Sequence, residues 1–241
     1  MISAKVVAAV VIPLVWNNIL LPRPRWGLRG RTVAHAAFAT GYSLALGGRP
    51  RWGSARGARY GLAAAAVVSS GYVVALTVPA VRDLLAVFAD RGRTVGDPVV
   101  ALDDAVLAES PTGAAVQADA ESEVVDPIER VTVHIPIGTV YSEELIFRAT
   151  LDPLLDNTFG ARVGPLASAA VFGLWHIHPA RVAGDNVPAT IAFTTLGGLL
   201  FGLLSRHANS VTAPALLHFA LNAGGVIVPL VAERRAAVGR L

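Results

Sequence analysis

Apolar stretches close to the length of a bilayer crossing recur along this chain, at 2–21, 60–81, 131–155, 163–176, 188–204 and 211–231, with a weaker one at 32–47. A helix needs about 20 predominantly apolar residues to cross the hydrocarbon. In lipid every backbone N–H and C=O must find its partner inside the protein, so repeated stretches of this length restrict the chain to helices. A barrel would show short alternating strands, which the sequence lacks. The predicted fold class is all-α, a polytopic membrane protein with about six or seven transmembrane helices. Composition agrees: 54% of the 241 residues are hydrophobic and 15% are charged, too apolar for an ordinary soluble enzyme.

Charge is placed at the ends of these stretches. The chain carries a formal net charge of +3, and Lys5 is its one lysine among 20 basic residues. That arginine bias, with abundant alanine, valine and glycine, suggests a GC-rich bacterial genome. The arginines gather at 23–31 and 49–59 beside Trp26 and Trp52. This pattern predicts anchoring at lipid headgroups rather than a nucleic-acid surface, and no groove-reading or RNA-binding module is present. Trp16 is expected to be an interfacial anchor too. The 2–21 stretch lacks a small-residue cleavage site, so an uncleaved anchor is expected.

Between 83 and 130 the sequence turns acidic and carries Pro98, Pro111, Gly113 and Pro127, as a hydrophilic linker does. The predicted organisation is therefore N-terminal membrane helices (1–82), linker (83–130), a bundle of about four helices (131–232) and a basic tail (233–241). An even number of spans after the linker places linker and tail on one side, and the arginines of the tail favour the cytoplasm.

All the suggestive chemistry lies in the second bundle. Cysteine is absent, which excludes thiol catalysis and cysteine-ligated metal. Ionisable side chains inside a membrane are costly and usually face the protein interior, where they function. Three groups stand out. "YSEELIFRATL" carries Glu143, Glu144 and Arg148, "FGLWH" ends in His176, and "HFALN" holds His218 and Asn222. Residues four apart share a helix face, so Glu144 can pair with Arg148, while Glu143 points about 100° away and is left available. His218 and Asn222 present a ring and an amide side by side. His176 shares its face with Phe172.

A carboxylate, imidazoles and an amide converging inside a membrane suit amide hydrolysis by activated water. Glu143 would take the proton and His176 would hold the water, while His218 and Asn222 would donate to the oxyanion. In a second version Glu143, His176 and His218 ligate a divalent metal such as zinc. The sequence leaves both open. Structural alternatives stand beside them: a buried Glu144–Arg148 ion pair, and histidines satisfied in the core. Trp175 is expected either to line the site or to pack in the core. His178 is expected at the interface where Pro179 ends the helix, and His134 should face away from Glu143. His207 reads as a loop residue, and nothing assigns His35.

In order and spacing these groups resemble the CPBP intramembrane metalloprotease family, which includes CAAX prenyl endopeptidases, bacteriocin-processing proteins and Abi proteins. The resemblance covers about 131–231. It implies a helical fold with a site sunk in the membrane, Glu143 as the water-activating carboxylate, His176 as its partner, and His218 with Asn222 as oxyanion donors. Glu144 and Arg148 match supporting positions. Ala149 stands where glycine is common in the family, and Tyr141 and Ser142 make the approach to the glutamates unusually polar. The expected protein is an endopeptidase of the cell membrane acting on a membrane-associated peptide or protein. The alternatives are a non-catalytic immunity or partner-binding protein of the same fold, and a transporter with Glu143 as proton relay.

Overall fold

The computed structural model describes residues 3–24, 26–89, 94–95 and 123–238. Helices dominate them. Helix α1 (Ala4–Val15) continues as a π-helical turn, Trp16–Leu20, and is followed by α2 (Leu28–Leu46), α3 (Ala55–Thr77) and α4 (Pro79–Ala86). Residues 96–122, most of the expected linker, lie outside the described residues. At their edges a two-residue antiparallel ladder pairs Thr94 with Val124 and Val95 with Glu123. The start of the expected linker is helical, since α4 contains Asp83.

The next helix carries the paired glutamates and alternates between two windings. After the turn Pro127–Glu129 comes a π-helix, Arg130–Tyr141; then α5 (Ser142–Ile146) is α-helical and Phe147–Leu151 is π again. Hydroxyl groups match this winding. The Ser142 hydroxyl donates to the Ile137 carbonyl at 2.9 Å and the Thr150 hydroxyl to Leu145 at 2.8 Å, each five residues back. These bonds occupy carbonyls along the wider turns, and they give the unexpectedly polar Ser142 a structural task.

Helix α6 (Asp152–Trp175) is broken at Gly160, where φ 78° and ψ 171° leave the helical region. Glycine reaches that conformation without strain. The break falls between the apolar stretches 131–155 and 163–176. Short α7 (Ile177–Val182) follows, then α8 (Val187–Ala208) and α9 (Thr212–Val238). Among the described residues three helices, α3, α8 and α9, are long and apolar enough to cross a membrane, and Ala4–Leu20 is a shorter apolar helix. The chain is an all-α, multi-pass membrane protein. Large apolar side chains such as Leu44, Val67 and Phe193 are exposed, as a lipid-facing surface requires.

Close packing of α3 on α9 depends on small residues. A side chain at Gly61 would bring its Cβ within 2.8 Å of the Ala213 carbonyl, and one at Gly57 would meet Ser210. Gly57 and Gly61 lie four apart on one face, the small-residue spacing that lets membrane helices approach. Helix α9 runs through Glu233, Arg234 and Arg235 to Val238, so most of the expected basic tail is helical.

Several sequence expectations change here. Trp16 is partly buried against the core, its ring stacked on Phe38 at 4.4 Å, whereas Trp26 and Trp52 are exposed. The helix before His178 ends at His176, not at Pro179, which lies inside α7. His207 belongs to the last turn of α8 and packs its ring edge-on against Tyr60 at 4.8 Å. The expectation for His134 is unchanged: it bonds Thr32 at 2.8 Å and Glu129 at 3.2 Å rather than Glu143.

Candidate active site

The α-helical segment between the π-turns places both glutamates in the protein interior. Glu143 is 5% exposed and Glu144 is fully enclosed. Glu144 lies 3.5 Å from the Arg148 guanidinium, one turn on, as the spacing predicts. Arg148 is 3.6 Å from Asp152 a further turn along, and its guanidinium lies over the rings of Phe172, Phe147 and Phe201, nearest to Phe172 at 4.9 Å. Asp152 also accepts from the Ser168 hydroxyl and stands 3.4 Å from Arg206. Arg206 in turn holds Asp156 through bonds of 2.7 and 2.9 Å. A line of alternating charge thus runs from the glutamates along the helix to α8. Apolar surroundings make each of these ions depend on its neighbours.

His218, from α9, touches both glutamates. Its Nδ1 lies 3.0 Å from Glu144 Oε1, and its Nε2 lies 3.7 Å from Glu143 Oε2. A carboxylate oxygen accepts, so Nδ1 donates to Glu144, and Nε2 is the ring nitrogen turned toward Glu143. The ring is fixed by stacking on Phe201 at 4.7 Å. The glutamates are therefore distinguished by which ring nitrogen each one faces, in addition to the helical angle between them.

Glu143 has a second partner. The Trp175 indole N–H donates to Oε1 at 3.2 Å, while Oε2 is enclosed and has no hydrogen-bond partner. Trp175 is 1% exposed and its other ring face stacks on His35 at 5.3 Å. It thus both lines the site and packs in the core. One oxygen of Glu143 is held and the other is left facing His218.

His176 and Asn222 are placed differently. His176 caps α6 at its C-terminal end, half-buried, with Nδ1 donating to the Phe172 carbonyl at 2.8 Å and its ring 4.8 Å from Phe172. It meets the site through Phe172, whose ring is also 6.3 Å from His218. Asn222 donates to the His218 carbonyl at 3.1 Å, one turn back on its own helix. The structure brings Glu143, Glu144, Arg148 and His218 together; His176 flanks them, and the Asn222 amide is engaged with its own main chain.

A metal centre needs at least three convergent donors. Among the described residues no group of three His, Cys, Asp or Glu is arranged to hold an ion. Glu143 and His218 face one another, but His176 does not complete the set with them. The residues do not fit a three-ligand zinc site, and no chemical step below passes through a metal.

Sequence reasoning missed Asp152, Arg206, His35 and Asn17. Asp152 carried a usable signal, the same four-residue spacing from Arg148 that identified Glu144. The others come from distant segments and are joined to the site only by the fold.

Residues 130–224 match a protein family described as type II CAAX prenyl endopeptidase Rce1-like. No match was found among curated proteins or among solved structures. The matched segment contains Glu143, Glu144, Arg148, His176, His218 and Asn222, and ends before most of the last helical turns of α9.

Proposed function

We propose that this protein is an intramembrane endopeptidase cleaving a membrane-associated peptide or protein by activated water, a reading supported by the similarity of residues 130–224 to the type II CAAX prenyl endopeptidase Rce1-like family. The observation that carries the reading is Glu143: enclosed, held at Oε1 by Trp175, and unpartnered at Oε2 beside His218. The attacking water would donate to Oε2 once substrate binding opens this enclosed carboxylate, with His218 Nε2 3.7 Å from the same oxygen.

In this mechanism Glu143 Oε2 takes a proton from that water as its oxygen attacks the scissile carbonyl carbon. The carbonyl π-electrons move to oxygen. His218, held at Nδ1 by Glu144, would donate a hydrogen bond from Nε2 to the oxyanion, with that proton on the ring before the attack and retained through it. Collapse of the intermediate breaks the C–N bond, and Glu143 delivers its proton to the leaving amine. Arg148, 3.5 Å from Glu144, would help hold the carboxylate that in turn holds His218. His176 would border the bound peptide, and Asn222 would become a second oxyanion donor by turning its amide from the His218 carbonyl. Next to the glutamates in sequence, an open apolar depression of about 330 Å³ lined by Trp52, Pro136, Val140 and Tyr141 suits a hydrophobic part of the substrate.

The setting would be a bacterial cell membrane. The test compares membrane peptides from cells making wild-type protein with those from cells making Glu143→Gln. Substrates should accumulate uncleaved in the variant. Identical peptide profiles, with both proteins present and folded, would defeat the protease reading. Loss of a solute flux in proteoliposomes without any change in cleavage would instead favour a relay role for Glu143.

A further inference from the structure

The segment 3–46 lies outside the family match, yet two of its helices close on one residue of the site, Trp175. Asn17 stands in the π-helical turn Trp16–Leu20 and is 5% exposed. Its amide donates to the Trp175 carbonyl at 2.7 Å. Asn18 donates to the Leu174 carbonyl at 3.1 Å and accepts from the His178 N–H at 2.8 Å. The last carbonyls of a helix have no intrahelical donor, and here α6 stops at His176. The two asparagines supply donors at that break and also bind the first turn of α7. From α2, His35 covers the indole with an interplanar angle of 11°. Phe147 meets the same indole edge-on at 5.6 Å.

Each partner restrains a different part of Trp175: Asn17 its carbonyl, His35 its ring face, and Glu143 its N–H. An indole with main chain and ring both fixed has a single direction for its N–H, and that direction is Glu143 Oε1. We propose that Asn17, Asn18 and His35 are positioning residues for the water-activating carboxylate, acting through Trp175. The N-terminal helices are then part of the hydrolytic apparatus as well as membrane anchors. This inference rests on the protease reading of Glu143.

The test uses the full chain in lipid nanodiscs and has two arms. For the first, Trp16, Trp26 and Trp52 are replaced by Phe so that Trp175 alone fluoresces. Asn17→Asp, which keeps the size but removes the donor, and His35→Leu should each shift its emission to the red and increase quenching by acrylamide. For the second, an internally quenched farnesylated peptide ending in a CAAX sequence is the substrate. Trp175→Phe, which removes the indole N–H, should lower kcat by about 10- to 100-fold with KM unchanged, because a small misplacement of a reacting group is expensive in rate. Asn17→Asp, whose buried carboxylate also lowers the melting temperature, should show the same fall in kcat with KM unchanged when the rate is normalised to folded protein. A purely structural role would lower melting temperature and active fraction without that kcat pattern.

Unchanged Trp175 emission in both N-terminal variants overturns the inference, as does full kcat in Trp175→Phe. If Glu143→Gln is inactive while Trp175→Phe is fully active, the protease reading stands and the positioning role falls. If wild-type protein leaves the peptide uncleaved, that result counts against the protease reading, and the fluorescence arm alone decides whether the N-terminal helices hold Trp175.

Discussion

A buried ionised side chain is stable only while its partners remain, and Arg148 is the residue on which most others here depend. It stands between Glu144 and Asp152 in full enclosure. Arg148→Met would leave Glu144 without its cation and Asp152 with Arg206 alone, and the expected loss is roughly 3–5 kcal/mol. Chemical unfolding in detergent would read it; a variant as stable as wild type would show that the charges are not coupled. Glu143→Gln is the opposite case. It keeps an oxygen for Trp175, so the melting temperature should hold while cleavage falls by about 10²- to 10⁴-fold, the range of a lost general base. At this scale the sequence was legible where partners are local. The Glu144–Arg148 pair follows from helical spacing, and the same rule would have given Asp152. His218 bonding to Glu144 as well as facing Glu143 was not legible, because it depends on how α9 is rotated against another helix. Nor was His35: an isolated histidine in a weakly apolar stretch carries no sign of a tryptophan 140 positions away.

At the scale of elements, winding and close approach decide the geometry. The hydroxyls of Ser142 and Thr150 bind carbonyls five residues back, so each alanine variant should cost about 1 kcal/mol. Ser142→Ala should also lower activity, since Ser142 is adjacent to Glu143. Gly61→Val should destabilise by about 1–3 kcal/mol by forcing α3 from the Ala213 carbonyl, measured as a fall in melting temperature. Where α2 meets the start of the long π-helix, Glu129 accepts from Arg29 at 2.6 and 3.1 Å. Hydrogen bonding from that guanidinium holds the Glu129 carboxyl below its ordinary 4.5. A lowered value in the folded protein means that the contribution is complete above pH 4.5 and disappears as pH falls through the folded value. The stability difference between wild type and Glu129→Gln should therefore narrow below that pH, and salt should shrink it at every pH because the pair is exposed. Periodicity located these helices. It did not reveal their π-turns, because a change from four to five residues per bond leaves composition and mean hydropathy untouched.

For the whole molecule, the apolar stretches were enough to give an all-α membrane fold, because lipid leaves few alternatives. They did not separate continuous spans from broken ones: the interval near Gly160 looks like a loop between helices and is a sharp break instead. Sidedness is open to a direct measurement. The even number of spans expected from the sequence after the linker predicts one common side for positions 110 and 240. The chain has no native cysteine, so Ser110→Cys and Arg240→Cys can each be introduced alone. A membrane-impermeant maleimide should label both from one side; labelling from opposite sides would change the number of crossings between them. The π-turns also bear on how this protein is related to others. Each turn accommodates a residue that an α-helix of equal length would lack. A homologue that had lost one residue between Arg130 and Tyr141 would keep every motif letter and still present Glu143 about 100° away. A comparison that forbids gaps within helices would then align the glutamates of such a pair while misplacing the site.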